Sequence, residues 1–258
     1  MIPILFTINN SIAFITLNRP EKFNSFNREM AFMLQEKLEE CESNKEIRCV
    51  LITGSGKAFC AGQDLAEVVD PDGPGMIKIL SEHYNPIISK IRNLNRPVIA
   101  AVNGIAAGAG ANIALCCDVV IAAQSASFIQ AFSKIGLIPD SGGTFFLPRL
   151  ISFQKASALM MLGDKISAEE AERLGMIYKV FPDISFPEEA EKIALALASL
   201  PTIGLAYTKQ ALNKSLEQTL EQQLKTEDEL QQKAALTKDF KEGVSAFLEK
   251  RKAIFKGE

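Results

Sequence analysis

From position 98 to position 117 the chain runs for 20 residues without a charge. That length would suffice to cross a bilayer, so what interrupts it decides the class of protein. Asn103 and Asn112 lie inside it with glycines at 104, 108 and 110, and the pattern changes partway from β-branched VIAAV to small-residue, helix-like GANIAL. A single lipid-facing helix has to satisfy every backbone group itself, and a segment that changes from strand-like to helix-like does not suit that role. The stretch reads as a buried strand, a Gly-rich turn and a helix, with no membrane partner implied. A similar apolar run, CVLITG (49–54), leads into the Gly-rich SGKAFCAGQDL, and a third, VVIAA (119–123), follows the helix. Strand, turn, helix, strand is the pattern of parallel crossover units, so the expected class is α/β.

The flanking segments fit that class. The opening ILFTINNSIAFITL predicts a hairpin about its Asn-Asn pair. Asn24-Ser25 reads as the start of a helix with Met30, Met33, Leu34 and Leu38 on one stripe, and 76–94 as a second amphipathic helix. Beyond Asp140 three short helices are expected over 144–151, 153–162 and 168–175, the last opened by a Ser167–Glu170 capping box, followed by a strand over 176–181. From Pro187 the pattern is helical with charged faces. A boundary near Ser199-Leu200-Pro201 divides a core, 1–199, from a helical region, 200–258. The later helices are too polar to form their own core, and Leu216, Leu220 and Leu224 make one apolar stripe, so they are expected to pack on the core or on a neighbouring subunit.

Composition removes several chemistries. Lys and Arg total 28 against 31 Asp and Glu, a net charge of −3, which argues against nucleic acid as a partner. The one histidine, His83, excludes His-rich zinc sites and leaves a single imidazole for any nucleophile; its setting suits a surface or satisfied helix residue better. Ser141 lacks the G-x-S-x-G elbow. The cysteines, 41, 49, 60, 116 and 117, are odd in number and form no C-x-x-C, so buried reduced thiols, no metal centre and a cytoplasmic setting are expected. The first residues show no basic segment of a secretory leader.

Three segments could carry chemistry. KAFCAGQDL (57–65) ends a strand, and NGIAAGAGANIAL (103–115) opens a helix. Both let backbone approach a ligand closely, and together they could supply two converging N–H donors, an oxyanion hole; tight helix–strand packing is the other reading of the same glycines. GAGANI lacks the third glycine of a dinucleotide fingerprint. In KIGLIPDSGGTFFLPRL (134–150), Asp140 precedes Ser-Gly-Gly. It is either a helix N-cap or, facing an apolar pocket, a carboxylate poised to take a proton.

These segments, in this order, resemble the crotonase (enoyl-CoA hydratase/isomerase) superfamily. LNRPEKFNSFN, FCAGQDL, AVNGIAAGAGANIAL, FSKIGLIPDSGGTFFLPR, LGMI and EGVSAFLEKR each match, over nearly the whole chain. The NSFN, AGQDL, AAGAGA and GVSAFL wording is most similar to the branch that isomerises ring-1,2-epoxyphenylacetyl-CoA in phenylacetate breakdown. The resemblance implies a spiral of ββα units with a C-terminal helical region for assembly as a homotrimer or dimer of trimers. It implies an acyl-CoA thioester as substrate and no separate cofactor, coenzyme A being part of the substrate.

The thioester oxygen would be held by the backbone N–H groups of Gln63 and Ala109, the latter between Gly108 and Gly110, so that the Gln63 side chain is expected to be dispensable. Lys22, Phe23 and Asn24 would fold over the adenine, and Ala61, Gly62, Gln63, Asp64 and Leu65 would line the pantetheine–thioester end; Lys252 or Lys256 would reach the phosphates. The two glutamates by which hydratases of the family activate water fall at Asn112 and Phe132, neither of which can act as a carboxylate base. Asp140 stands where the isomerase branch places its acid–base group. A 1,3-proton shift needs only one such group, so the resemblance implies an isomerase of a ring-1,2-epoxyphenylacetyl-CoA or a 3,4-unsaturated acyl-CoA. Hydration of an enoyl-CoA, Δ3,Δ2-isomerisation in fatty-acid oxidation, and acyl-CoA binding without turnover are the alternatives.

Overall fold

The computed structural model describes residues 2–258. Ten strands form two sheets: a six-stranded sheet in the order β1-β2-β3-β5-β7-β10 and a four-stranded sheet in the order β4-β6-β8-β9. The strands are β1 Ile4–Asn9, β2 Ile12–Leu17, β3 Cys49–Gly54, β4 Ala58–Cys60, β5 Val98–Val102, β6 Ile105–Ala107, β7 Val119–Ala123, β8 Ser127–Ile129, β9 Lys165–Ser167 and β10 Lys179–Phe181. Three times the chain runs along the large sheet, turns within a few residues, and runs along the small one: β3 to β4, β5 to β6, β7 to β8. Within each sheet these successive strands pair in parallel. The result is the expected spiral of ββα turns. The central strands of the large sheet are largely apolar because they are covered on both faces: every residue of β5 is buried, whereas the edge strand β1 is mostly exposed.

The helices are α1 Arg28–Ser43, α2 Leu65–Val69, α3 Gly75–Lys78, α4 Asn85–Asn93, α5 Ala109–Leu115, α6 Gly143–Ile151, α7 Phe153–Leu162, α8 Ala168–Arg173, α9 Phe186–Ala198, α10 Thr202–Ser215, α11 Leu220–Ala235 and α12 Lys238–Leu248. Asn103 locks neighbouring turns of the spiral together, accepting from Gly54 N at 2.9 Å and donating to Gly56 O at 3.0 Å. Lys209 of α10 reaches Ile91 O at 2.7 Å and Asp118 at 2.8 Å. Arg48 donates to Thr202 Oγ1, Phe255 O and Leu200 O at 2.8–2.9 Å, and Asp239 accepts from the amides of Lys256 and Gly257 at 2.7 Å. The C-terminal helices are thus pinned to the core by charged groups that reach backbone carbonyls and amides.

Several local expectations shift. The hairpin turns on Asn10 and Ser11, both at positive φ (50° and 61°), one residue later than the Asn-Asn pair. Helix α1 starts at Arg28 with Asn27 as its cap, the Asn27 side chain accepting from Met30 N. The stretch IAA after Gly104 is a short strand, not turn, and the 76–94 helix is interrupted by a π-helical turn, Ile79–Tyr84. Pro86 explains the interruption: it has no N–H to continue the ladder, and just before it the Asn85 N–H reaches back five residues to Leu80 O. The segment before Asp140 is a 3₁₀ turn, Ala131–Ile135, and then open chain with Ile138 81% exposed. Strand β9 has no counterpart in the sequence reading.

The chain exposes 13,203 Å², about 2,000 Å² more than a compact monomer of this length. The late helices contribute exposed apolar side chains to this surface: Leu212, Leu220, Leu224, Leu236, Phe240, Phe247 and Leu248.

Asn24 does not start a helix. It is fully buried, accepts from Arg19 N at 2.9 Å and donates to Ser55 O and Ala58 O at 2.9 and 2.8 Å, so one amide ties its own loop to the β3–β4 turn. Asn24→Ala leaves those groups buried without partners and is expected to destabilise the fold by roughly 2 to 3 kcal/mol. Thermal melting measures this, and an unchanged melting temperature would count against the clamp.

Candidate active site

The Gln63 segment is fixed from one side by Phe26. Phe26 N donates to Gly62 O at 2.7 Å, Asp64 N donates to Phe26 O at 2.8 Å, and Ala61 N donates to Phe23 O at 2.9 Å. This pairing omits the Gln63 N–H, which among the described residues donates to no protein acceptor. The second free donor comes from α5. Gly108 caps that helix at φ 53°, ψ −129°, a conformation open to glycine and strained for other residues, and the first turn leaves the Ala109 N–H without a carbonyl. The two segments touch: a Cβ placed on Gly62 would lie 3.4 Å from Ala109 N and 3.1 Å from Ala107 O. Two unused N–H groups therefore stand at one contact between β4's exit and α5's start.

Asp140 is brought to the same place through α5. Its carbonyl accepts from Asn112 Nδ2 at 2.9 Å and Gly143 N at 2.8 Å. Asn112, fully buried one turn beyond Ala109, also accepts from Gln130 Nε2 at 2.8 Å. The Asp140 carboxylate caps nothing: α6 begins at Gly143 after Ser141 and Gly142, both at positive φ. It accepts from Ser141 Oγ at 2.8 Å and, among the described residues, forms no ion pair with a Lys, Arg or His. Burial pushes its pKa above the ordinary 3.8, against the opposing pull of the Ser141 hydroxyl. A carboxylate kept from solvent without a cation is a better base than an exposed one.

Aromatic rings close the site. Phe132 is buried, and its ring edge stands 3.8 Å from where a Gly108 Cβ would be. Tyr84, fully buried, packs edge-on against Phe26 with centroids 5.9 Å apart. Its hydroxyl donates to Gln63 Oε1 at 2.9 Å, Gln63 Nε2 donates to Glu67 Oε2 at 2.8 Å, and Glu67 Oε1 accepts from Arg28 N at 2.8 Å. Burial holds the Tyr84 phenol well above its usual pKa, with the charges of Asp140 and Glu67 adding to the effect, so it stays protonated. Neither Tyr84 nor Glu67 stood out in the sequence. The one available signal was Pro86 inside a helical pattern, which marks the wide turn that carries Tyr84.

The other expected site residues divide into two groups. Lys22, Phe23, Ala61 and Leu65 are exposed around the rim, Phe23 at 49% and Leu65 at 51%. Asn24, Asp64, Gly110 and Asn112 are engaged within the protein. Asp64 caps α2 through Ala66 N and pairs with Arg19 at 2.9 Å; burial would raise its carboxyl, but these partners together hold it below its ordinary value. A Cβ at Gly110 would lie 2.3 Å from Cys60 O, so this glycine serves helix–strand packing. Asn24 and Asn112, expected at the ligand, have no side-chain surface to offer one.

Lys252 and Lys256 are exposed, and Lys256 is anchored through its amide on Asp239. His83 is not at the surface: it is fully buried against Phe32 and Arg28, its Nδ1 has no partner among the described residues, and burial lowers its pKa. Burial pushes the thiols of Cys41, Cys49 and Cys60 up to about 12, which makes them inert. Among the described residues no helix is long and apolar enough to cross a membrane, and no three His, Cys, Asp or Glu are grouped to hold a metal.

Comparison with known proteins gives the family. The family model described as enoyl-CoA hydratase/isomerase matches residues 7–258. The chain is 48% identical over 257 residues to the 1,2-epoxyphenylacetyl-CoA isomerase of Escherichia coli K12, covering 98% of each chain. It is 44% identical to a probable enoyl-CoA hydratase of Rhodobacter capsulatus, again over 98% of both. A crystal structure of a putative enoyl-CoA hydratase/isomerase from Mycobacterium abscessus superposes with a TM-score of 0.93 at 35% identity, covering 99% of this chain and 100% of that one. Matched by that family model over nearly its whole length and covered to 98% by relatives at 44–48% identity, the chain belongs to the enoyl-CoA hydratase/isomerase family.

Proposed function

We propose that this protein is an acyl-CoA isomerase in which Asp140 moves the proton and the amides of Gln63 and Ala109 hold the thioester oxygen. The observation that carries the reading is the Asp140 carboxylate, half-buried and without a cation, its backbone tied by Asn112 to the helix that opens on the unused Ala109 N–H. For a 3,4-unsaturated acyl-CoA the steps balance with one base. Asp140 takes a proton from C2, the electron pair moves to the thioester oxygen, and the two N–H groups stabilise the resulting dienolate. The protonated Asp140 then returns the proton to C4, and the double bond lies between C2 and C3. The name of the Escherichia coli relative supports a ring-1,2-epoxyphenylacetyl-CoA as a second substrate of the same site. Water activation by two carboxylates has no support here, since Asn112 is bonded to Gln130 and Asp140 and Phe132 has no acid group.

Assembly as a homotrimer or dimer of trimers is supported by the exposed apolar side chains of α10 to α12 and the surplus surface. Light scattering of the full chain at micromolar concentration is expected to give one of these masses; a monomer would contradict it.

Asp140→Asn keeps the shape and removes the base. Turnover of 3-hexenoyl-CoA is expected to fall by roughly 100- to 10,000-fold with little change in affinity. In the native enzyme kcat/KM rises with pH through the raised Asp140 pKa, because only the carboxylate accepts a proton. The same variant should melt higher at pH 7. Folding raises the Asp140 pKa above 3.8, so ionising it opposes folding as pH climbs through the raised value, and the gain vanishes below 3.8. Full turnover in Asp140→Asn would overturn the reading. Hydration of crotonyl-CoA by the native protein, followed by loss of the enoyl absorbance, is expected to be slow; rapid hydration would require a second base that this site does not offer.

A further inference from the structure

We propose that Tyr84 is a positioning residue for the reaction: through the Gln63 side chain, tied at its other end to Glu67, it keeps the Gln63 N–H aimed beside that of Ala109. This rests on the reading of those two amides as donors to the thioester oxygen. The N–H in question belongs to the Gly62–Gln63 peptide. Its carbonyl is anchored by Phe26 N at 2.7 Å, but Gly62 has no side chain and sits at φ 93°, so that one bond is the hold on the plane from that side. A second hold comes from the Gln63 side. There the side-chain amide is held at both ends, by Tyr84 Oη at 2.9 Å and Glu67 Oε2 at 2.8 Å, and Glu67 is fixed in turn by Arg28 N at the start of α1. Tyr84 acts twice, because its ring also packs edge-on against Phe26, the residue that anchors the Gly62 carbonyl.

The wide helical turn ending at Tyr84 brings this hydroxyl to Gln63, and this role runs against the expectation that the Gln63 side chain is dispensable. A simpler role exists for the same bond: a buried phenol needs a partner, and Gln63 could merely provide one. The two roles differ in what happens to a bound carbonyl. Each donor lost or misaimed weakens the pull on the thioester oxygen, which a vibrational spectrum reads directly.

The test uses the full chain with hexanoyl-CoA carrying a 13C-labelled carbonyl, by infrared difference spectroscopy, and 3-hexenoyl-CoA for turnover. The native complex should show the carbonyl stretch moved to lower frequency. Ala109→Pro, which removes the other amide while suiting the first position of α5, should lose most of that shift. Tyr84→Phe, which keeps the ring and deletes only the hydroxyl, should show a reduced shift and a kcat lowered about 10-fold with KM changed by less than about twofold, the scale of one hydrogen bond. Gln63→Ala should do the same and reports on the chain independently should Tyr84→Phe fail to fold. The double variant should be no worse than either single one.

A native shift in Tyr84→Phe, or additive losses in the double variant, would overturn the positioning role while leaving the parent reading intact. Absence of any shift in the native complex, or a full shift in Ala109→Pro, would overturn the parent reading and this inference with it.

Discussion

Everything at the candidate site depends on one close approach, that of the Gly62 backbone to the turn between β6 and α5. A side chain at Gly62 would meet Ala107 O at 3.1 Å and Ala109 N at 3.4 Å, so any residue but glycine would force the two segments apart. The spiral is what brings them together. β4 and β6 are neighbours in the small sheet, and each leaves it on the same side toward its own helix. Asn24 and Asn103 then hold the turns of successive layers, and Phe26 pins the Gln63 segment. Two amides are freed because these bonds satisfy the groups around them and leave these two unused.

The carboxylate opposite shows a different balance. Asp140 is held through its carbonyl by Asn112 and Gly143, which leaves its side chain free of structural duty. Ser141 follows at φ 50°, an uncommon conformation for a residue with a side chain, and turns its hydroxyl back onto the carboxylate at 2.8 Å. Strain, burial and the lack of a counter-charge all act against stability at this point. A helix cap would give the carboxylate backbone N–H partners; here it has the Ser141 hydroxyl instead.

Much of this was legible before the fold. Period and Gly placement identified β3, β5, β7 and α5, since buried parallel strands and a small-residue helix leave a strong compositional trace. Gln63, Ala109 and Asp140 were singled out by the family resemblance, since the residues alone left packing and helix capping open. What was not legible depends on tertiary partners. Asn24 looks like a helix start because Asn followed by Ser is a good cap, yet its own loop and the β3–β4 turn compete for its amide and win. Asn112 looks like a ligand contact because it lies in the motif, yet its amide is spent on Asp140 and Gln130. Tyr84 and Glu67 carry no local pattern at all: one comes from a helix irregularity and the other from a short helix, and only folding sets them on either side of Gln63.

The grip of Arg48 on the C-terminal region has a consequence in time. Its guanidinium closes on the Phe255 carbonyl, 207 residues further along the chain. A ribosome adding about 5 to 20 residues per second needs roughly 10 to 40 s to cover that interval. Throughout it, β3 and its neighbours can assemble while a cation at the edge of the sheet lacks the carbonyls that will finally surround it. The spiral can therefore form layer by layer from its beginning, but the step that fastens the last helices waits for translation, and chaperones have that window in which to meet their exposed leucines and phenylalanines.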